Sequence, residues 1–310
     1  MTELAGSAIP SATAAVVLVN TDQRDLTLAC LGSLAKSSVR FGLTIVVDNA
    51  SSDGSAEAIA DSFPSVVVLR QPENRGFPAA ANAGVAHVLG TPADYIWVLN
   101  NDTEVASNAA EQLITALSAT DGAGVACPKI YFAEPRDVLW FAGGDIELKA
   151  PMGAHHRGLG ERDKGSYDQP CAISFINGCA PMFHRRILER HRLFDESFFI
   201  YCEDLDLSIR LARSGVTCLY EPRAVIWHKV SQSFVKTARA GRQTYLLVRN
   251  RFIVQRRYCS TASVIALLGR YLVGSVARGA YWTAVSNGDC SRIRGLARGI
   301  IDGLRTKVVV

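Results

Sequence analysis

Four stretches of the chain bring oxygen or nitrogen ligands to the end of an apolar run or the start of a helix. VLNNDTEV (98–105) passes from strand-like residues into Asn100, Asn101 and Asp102, LTIVVDNASSDGS (43–55) does the same at Asp48, and AVIWHKVS (224–231) ends its apolar run at His228. In FFIYCEDLDLSIRLARSG (198–215), Glu203 and Asp204 open a run in which Leu205, Ile209 and Ala212 recur at helical spacing and Gly215 is a stop signal. Two chemistries fit such residues. Carboxylate oxygens hold Mg²⁺ or Mn²⁺, which are commonly shared with phosphate oxygens, and Asp102 is placed for that. A carboxylate within hydrogen-bond reach of a hydroxyl can take its proton as a new bond forms. Each stretch also has a plainer reading. Asp48 and the residues after it are good turn and cap chemistry, Asp102-Thr103 would cap a following helix, and acids at a helix start are favoured by free N–H groups. A histidine ending a strand is more often packed or solvated than a ligand.

The elements that must hold these residues alternate. AAVVLVN (14–20), LTIVVD (43–48), SVVVLRQ (65–71) and DYIWVLNND (94–102) read as strands, and DLTLACLGSLAKS, AEAIADSF and GFPAAANAGVAHVL between them read as helices. Strands that are apolar on both faces and separated by helices imply a mostly parallel α/β sheet covered on both sides. Ligands of such sheets sit beyond the carboxyl ends of the strands, where Asn20 to Asp22, Asp48-Asn49 and Asn100 to Asp102 fall. Neither GxGxxG after the first strand nor GxxxxGK[ST] occurs, which leaves dinucleotide and P-loop chemistry little support.

Composition sets the bounds. The chain has 310 residues, 48% hydrophobic and 20% charged, ordinary for a globular protein. Its eight cysteines form no CxxC pair, so reduced thiols in a cytoplasm fit better than a zinc cluster or a disulfide framework. The first residues, MTELAGSAIPSATA, have no apolar core of signal-peptide length and read as a disordered lead-in. The net charge of +4 conceals an asymmetry: residues 1–235 carry 19 Lys and Arg against 27 Asp and Glu, and residues 236–310 carry 14 against 2. Residues 143–170 are glycine-rich, charged and aperiodic, which reads as a long mobile loop with His155 and His156 as ordinary surface residues. The tail is helix-prone. Its stretch 263–285 is nearly apolar enough to span a bilayer, but Arg270 and Arg278 interrupt it, so amphipathic helices on an anionic leaflet are expected. A soluble helical cap and an oligomer interface are the alternatives, and no motif points to nucleic acid.

VVLVNTD, VVDNASSDGS, NRGFPAAANAG, VLNNDTEV, FINGCAPMFHRR, FDESFFIYCEDLDLSIRLARSG and VIWHKVSQS occur in an order that resembles a family 2 glycosyltransferase with the GT-A fold. Within that family the chain is most similar to rhamnosyltransferase-like members. The resemblance spans about residues 14–257 and implies a GT-A catalytic domain over 1–235 and a basic helical appendage over 236–310. It implies that Asp48 hydrogen-bonds the nucleotide base with Asn20 to Asp22 lining the same pocket, and that Arg75 approaches base or phosphate. Asn100-Asn101-Asp102 takes the DxD position, with Asp102 as metal ligand and Asn100 in place of the first acid. His228 completes the metal site; imidazole suits Mn²⁺ better than Mg²⁺. Asp204 matches the catalytic base, with Glu203 orienting acceptor or helix, and Trp227 is placed to pack against donor or acceptor.

The resulting expectation is a metal-dependent, inverting transfer of a sugar from a nucleotide donor, dTDP-L-rhamnose foremost, to a hydroxyl of a cell-envelope glycan or lipid-linked acceptor, at the cytoplasmic face of the membrane. A UDP-hexose or galactofuranose donor, and a non-catalytic sugar-nucleotide-binding scaffold, are the competing readings.

Overall fold

The computed structural model describes residues 13–147, 151–230, 237–285 and 290–307. In chain order the elements are β1 (Ala14–Asn20), α1 (Arg24–Leu34), β2 (Leu43–Asp48), α2 (Ser55–Ser62), β3 (Val67–Arg70), α3 (Phe77–Leu89), β4 (Tyr95–Asn100), β5 (Thr103–Val105), α4 (Ala109–Ala119) and β6 (Ala123–Phe132). There follow β7 (Leu139–Phe141), β8 (Gly144–Glu147), β9 (Gly153–His156), β10 (Cys171–Ile173), β11 (Met182–His184), α5 (Arg185–Arg190), α6 (Glu203–Arg213), β12 (Thr217–His228), α7 (Thr237–Tyr258), α8 (Thr261–Val285) and α9 (Ser291–Arg305).

The main sheet runs β10-β12-β6-β11-β4-β1-β2-β3, with β5 paired to β12 and β7 to β6. Its first-built half, β4-β1-β2-β3, is parallel, as the continuous apolar runs require, and every residue of β1 is buried. Register aligns the polar ends: Asn20 lies opposite Asp48, and Val19 opposite Asn100. Gly84 lets α3 lie close to this half, because a Cβ there would come within 2.4 Å of a Val17 methyl. The other half is mixed. Strand β11 enters antiparallel to both β4 and β6, and β12 lies parallel to β6. Pairing of β12 with β5 sets His228 opposite Thr103, next to Asp102.

Three expectations are corrected. The stretch 143–170 is not a structureless lid. It holds the β8–β9 hairpin, a two-bond ion pair from Arg157 to Asp145 at 2.7 Å, and two acids, Asp163 and Asp168, that neutralise the buried Lys129. Asp145, Arg157, Asp163 and Asp168 among its charges thus serve as partners within the protein. His156 is no ordinary surface residue: its ring lies 5.1 to 5.5 Å from those of Trp140, Phe141 and Phe175, and burial holds its pKa below the usual histidine value. Strand alternation turns Trp227 away from His228, onto Arg136 (4.1 Å) and Tyr131.

Helix α7 is part of the main core through Ile253 and Val254, while Val248 and Phe252 join Leu267 of α8 and Leu296 of α9 in a smaller cluster. Glycines make the α7–α9 contact close: a Cβ on Gly299 would sit 2.8 Å from the Tyr245 carbonyl oxygen, and one on Gly295 would sit 2.2 Å from that of Gly241. Replacing Gly299 by Leu should therefore lower stability by about 1–3 kcal/mol, the usual cost of overpacking, read as a fall in the urea midpoint. An unchanged midpoint would show that the two helices can separate freely.

Candidate active site

At the carboxyl end of β1, the amide of Asn20 joins two neighbouring strands. Its Nδ2 donates to Asp48 Oδ1 and to Ser51 Oγ, both at 3.0 Å, and its Oδ1 accepts from Thr27 Oγ1 (2.8 Å) and from Asn101 Nδ2 (3.2 Å). Asp48 also accepts from the Ser51 backbone N–H at 3.2 Å, so both its oxygens are engaged inside the protein. Asp22 is exposed, has a left-handed backbone (φ 51°), and ties the neighbouring turn by accepting from Ser52 N at 2.7 Å. These residues form one floor in which Asn20, Asp48 and Asn101 are buried. Beside it is a residue that the sequence placed at the ligand end without a role of its own: Asn49 is 2% exposed, and its Oδ1 has no hydrogen-bond partner among the described residues. Unpartnered polar atoms at that depth are uncommon and mark where a ligand donor would be welcome.

Asp102 and His228 meet at the next corner, with Oδ1 and Nε2 3.0 Å apart and both side chains largely buried. The cap reading of Asp102 fails, because residues 103–105 form strand β5 rather than a helix. Burial disfavours an imidazolium here, but the adjacent Cys179 sulfur and the Asp102 carboxylate outweigh it and push the His228 pKa up to about 10. Burial raises the Cys179 pKa, so the thiol is neutral at ordinary pH and Asp102 is the working counter-charge. The edge of His228 faces the ring of Trp140 at 4.6 Å, a contact that no sequence motif announced. Two ligands at adjacent corners of an octahedron, each about 2.1 Å from a metal, lie about 3.0 Å apart. The Asp102–His228 separation fits a divalent ion in place of the shared proton. No group of three His, Cys, Asp or Glu side chains gathers around such a position among the described residues, so oxygens of a ligand would complete the shell. Asn100 lies at the end of β4, and its side chain makes no hydrogen bond among the described residues.

Asp204 opens α6. Its Oδ1 accepts from the Leu205 N–H at 2.8 Å and its Oδ2 from that of Gly178 at 3.4 Å. A Cβ on Gly178 would meet the Asp204 Cβ at an ordinary 3.7 Å, so it is the N–H of residue 178 that matters rather than its lack of a side chain. Burial raises the Asp204 pKa to about 6 against these N–H bonds. Glu203, buried and with Oε2 unpartnered, is raised further, to about 8, by burial and then by the charge of Asp204. Burial thus lifts both carboxyls above the ordinary carboxylate range, and Glu203 has the charge of Asp204 against it as well. The Asp102–His228 corner and this carboxylate are joined by consecutive residues, since Cys179 borders the first and Gly178 the second.

Arg75 stands apart. It pairs with Glu196 at 3.1 Å and is more than half exposed. Asn82, three residues into α3's second turn, clamps Phe194 by donating to its carbonyl oxygen (2.9 Å) and accepting from its N–H (3.0 Å).

A sequence profile of the glycosyl transferase family 2 matches residues 15–192. The chain is 25% identical, over 222 residues covering 66% of it and 71% of the relative, to N-acetylglucosaminyl-diphospho-decaprenol L-rhamnosyltransferase of Mycobacterium tuberculosis. By structure it is similar to GalNAc-T7 in complex with UDP, GalNAc and Mn²⁺ (TM-score 0.58, 16% identity, 76% of this chain), of which it spans 48%. It is similar also to the mannosyltransferase of Pyrobaculum calidifontis with GDP-Man and Mn²⁺ (TM-score 0.55, 15% identity, 94% of this chain and 86% of the other).

With His228 held above the unfolded value of about 6.5, the stability it contributes is complete below that pH and is lost as pH rises through about 10. Metal-free Asp102→Asn loses the carboxylate's share of that support, so an imidazole NMR titration should find the His228 pKa lowered; an unchanged titration would remove Asp102 as its partner. The matched profile, the parallel half-sheet with its polar rim and the paired carboxyls of α6 make this chain a member of glycosyl transferase family 2 with a GT-A fold, and a glycosyltransferase.

Proposed function

We propose that the protein transfers L-rhamnose from dTDP-L-rhamnose, with inversion, to a sugar hydroxyl on a lipid-diphosphate acceptor. The observation that carries the reading is the junction at Gly178-Cys179, which sets the Asp102–His228 corner one residue along the chain from the Asp204 carboxylate. Support for the donor and acceptor classes comes from the mycobacterial relative, whose name gives both rhamnose and a diphospho-decaprenol acceptor.

The residues divide the work. Asp48, Asn20, Asp22 and the open Oδ1 of Asn49 line the end of the half-sheet where a nucleobase would lie, and the Asn49 oxygen calls for a ligand N–H. Arg75 would exchange Glu196 for a phosphate oxygen. Asp102 and His228 would hold Mn²⁺ or Mg²⁺, with Asn100 beside them as an uncharged neighbour; the ion, when bound, supplies positive charge for the departing diphosphate. Having one acid fewer than a DxD pair, the corner would hold the ion weakly until the donor's own oxygens arrive. The two Mn²⁺-bound neighbours favour this corner as a metal site. Asp204 accepts the acceptor hydroxyl proton as its oxygen attacks the anomeric carbon from the face opposite the leaving group, while neutral Glu203 leaves the charge at one oxygen pair.

A lipid-borne acceptor needs a surface to meet it. Ile265, Leu272 and Val273 of α8 and Ile301 and Leu304 of α9 are exposed, alongside exposed Arg270, Arg298 and Arg305. This composition supports peripheral contact with an anionic leaflet. Among the described residues no helix is long and apolar enough to cross a membrane.

Incubation with Mn²⁺ or Mg²⁺, a panel of dTDP- and UDP-sugars and a polyprenyl-diphosphate sugar should consume dTDP-rhamnose selectively, followed by mass spectrometry. Selective use of a UDP-hexose would replace the donor, and use of none would end the enzymatic reading. Asp204→Asn should keep donor affinity and lose about 10²–10⁴-fold in kcat, the range for a general base. Because the base works ionised, kcat of the wild type should fall as pH drops through about 6. A flat profile there would take the proton-accepting role from Asp204.

A further inference from the structure

Asn250, inside α7, is fully buried. Its Nδ2 is directed at the carbonyl oxygens of Phe198 (2.8 Å), Ile200 (2.8 Å) and Tyr201 (2.9 Å). Two N–H bonds are thus shared among three carbonyls of the segment that leads into α6. That segment is contorted: Phe199, Tyr201 and Cys202 have φ of 62°, 72° and 67°, and none is glycine. Left-handed backbone is disfavoured for an L-residue, so such a turn persists only where its surroundings over-determine it. Cys202 is the N-cap of α6, and Asp204 is two residues further on. Further ties run from Phe77, whose N–H donates to the Phe199 oxygen at 2.9 Å, from Arg249, which donates to the Ser197 oxygen at 3.0 Å and to Asn250 Oδ1 at 2.9 Å, and from Arg242, which lies over the Phe199 ring. Arg257, also on α7, pairs with Asp195 (2.6 Å) before the turn and Asp206 (2.9 Å) after it.

We infer that Asn250 is a positioning residue for Asp204: by holding the carbonyls of 198–201 it fixes the left-handed Tyr201-Cys202 pair, and so the direction in which the first turn of α6 presents its carboxylate. The inference rests on the base assignment made above. Side-chain chemistry accounts for the residue type. Asp would bring an acceptor to three acceptors, Ala would take this donor from the Ile200 and Tyr201 oxygens and leave that of Phe198 with the Ile200 N–H alone, and Gln would push the amide a methylene too far. Asn is also a weak helix former, so its place in mid-helix is explained by this contact rather than by propensity. The basic C-terminal helix is in this respect a component of the active site.

The test compares Asn250→Ala with the full-length wild type. Transfer kcat should fall roughly 10–100-fold, the scale expected when a reacting group is displaced by about an ångström, with both KM values within about twofold. Backbone amides of 198–204 should exchange about tenfold faster, a measurement that does not depend on turnover. Adding Cys202→Gly, which removes one left-handed penalty, should recover part of kcat; a merely stabilising contact would not respond that way. Unchanged kcat with unchanged exchange would overturn the inference. If Asn250→Ala does not fold, Arg249→Ala, which frees the Asn250 oxygen and the Ser197 carbonyl, should show the same kcat-only loss in milder form, and a loss confined to KM would overturn the inference equally. Absence of transfer by the wild type would instead strike the proposed function, and the exchange measurement would still decide the clamp.

Discussion

A short antiparallel strand wedged between β4 and β6 is the constraint on which the site depends. A purely parallel sheet would deliver only the carboxyl ends of its strands to the ligand side, those of β1, β2, β4 and β12 among them. Because β11 runs the other way, the segment before it approaches along that same rim, with Asn100 N–H donating to the Cys179 oxygen at 2.7 Å and Val98 N–H to the Pro181 oxygen at 3.1 Å. Trp97 fixes the register further by donating from Nε1 to the Ala180 oxygen at 3.0 Å. The N–H of Gly178 is left free to meet Asp204, and Cys179 is placed under His228. Residues far apart in sequence, 102, 178, 204 and 228, are therefore set in relation by backbone pairing, which varies less than side-chain contact.

The acids of this region are handled in three different ways, and the differences separate structure from chemistry. Asp206 is neutralised: Arg210 and Arg257 pair with it at 2.8 and 2.9 Å, and Tyr258 donates to it at 2.7 Å. Asp102 faces a single imidazole, a partner that a metal can replace. Among the described residues Glu203 and Asp204 form no ion pair and have N–H groups and burial instead, so both pKa values rise. A structural acid is best served by a guanidinium that never leaves; a proton acceptor must remain ionisable near working pH. The sequence ED-x-D thus contains two opposed solutions within one helical turn.

Legibility followed sequence separation. The parallel half-sheet and its helices were readable because strand and helix periods are local properties, and β1, β2 and β4 ended where the polar residues began. The mixed half was not, since nothing in MFH announces an antiparallel insertion. Asp206 with Arg210 read as an ordinary helix pair, and that pair exists, but Arg257 and Tyr258, some fifty residues on, could not be seen. Arg185 and Arg186 looked like a solvated face; their guanidiniums instead donate to backbone oxygens, those of Leu89 and Ala93 among them for Arg185 and that of Ala123 for Arg186. Charge seen in one dimension does not reveal whether a guanidinium meets water or a carbonyl.

The C-terminal region shows the same limitation with a functional consequence. Its excess of arginine invited an account as amphipathic helices on an anionic leaflet, with a soluble helical cap or an oligomer interface as the alternatives. In α7 the arginines divide. Arg257 and Arg249 turn inward to Asp195, Asp206 and Ser197, and Arg256 bonds the Gly303 and Thr306 oxygens at the end of α9. Among the described residues exposed arginines stand on all three helices, Arg242 on α7, Arg270 on α8 and Arg298 and Arg305 on α9, and the outer two pack on α7 through glycine contacts and a small apolar cluster. One helix thus has the outer helices on one side and the turn that presents Asp204 on the other. Packing therefore runs without a break from the outer helices through α7 to the turn that presents Asp204.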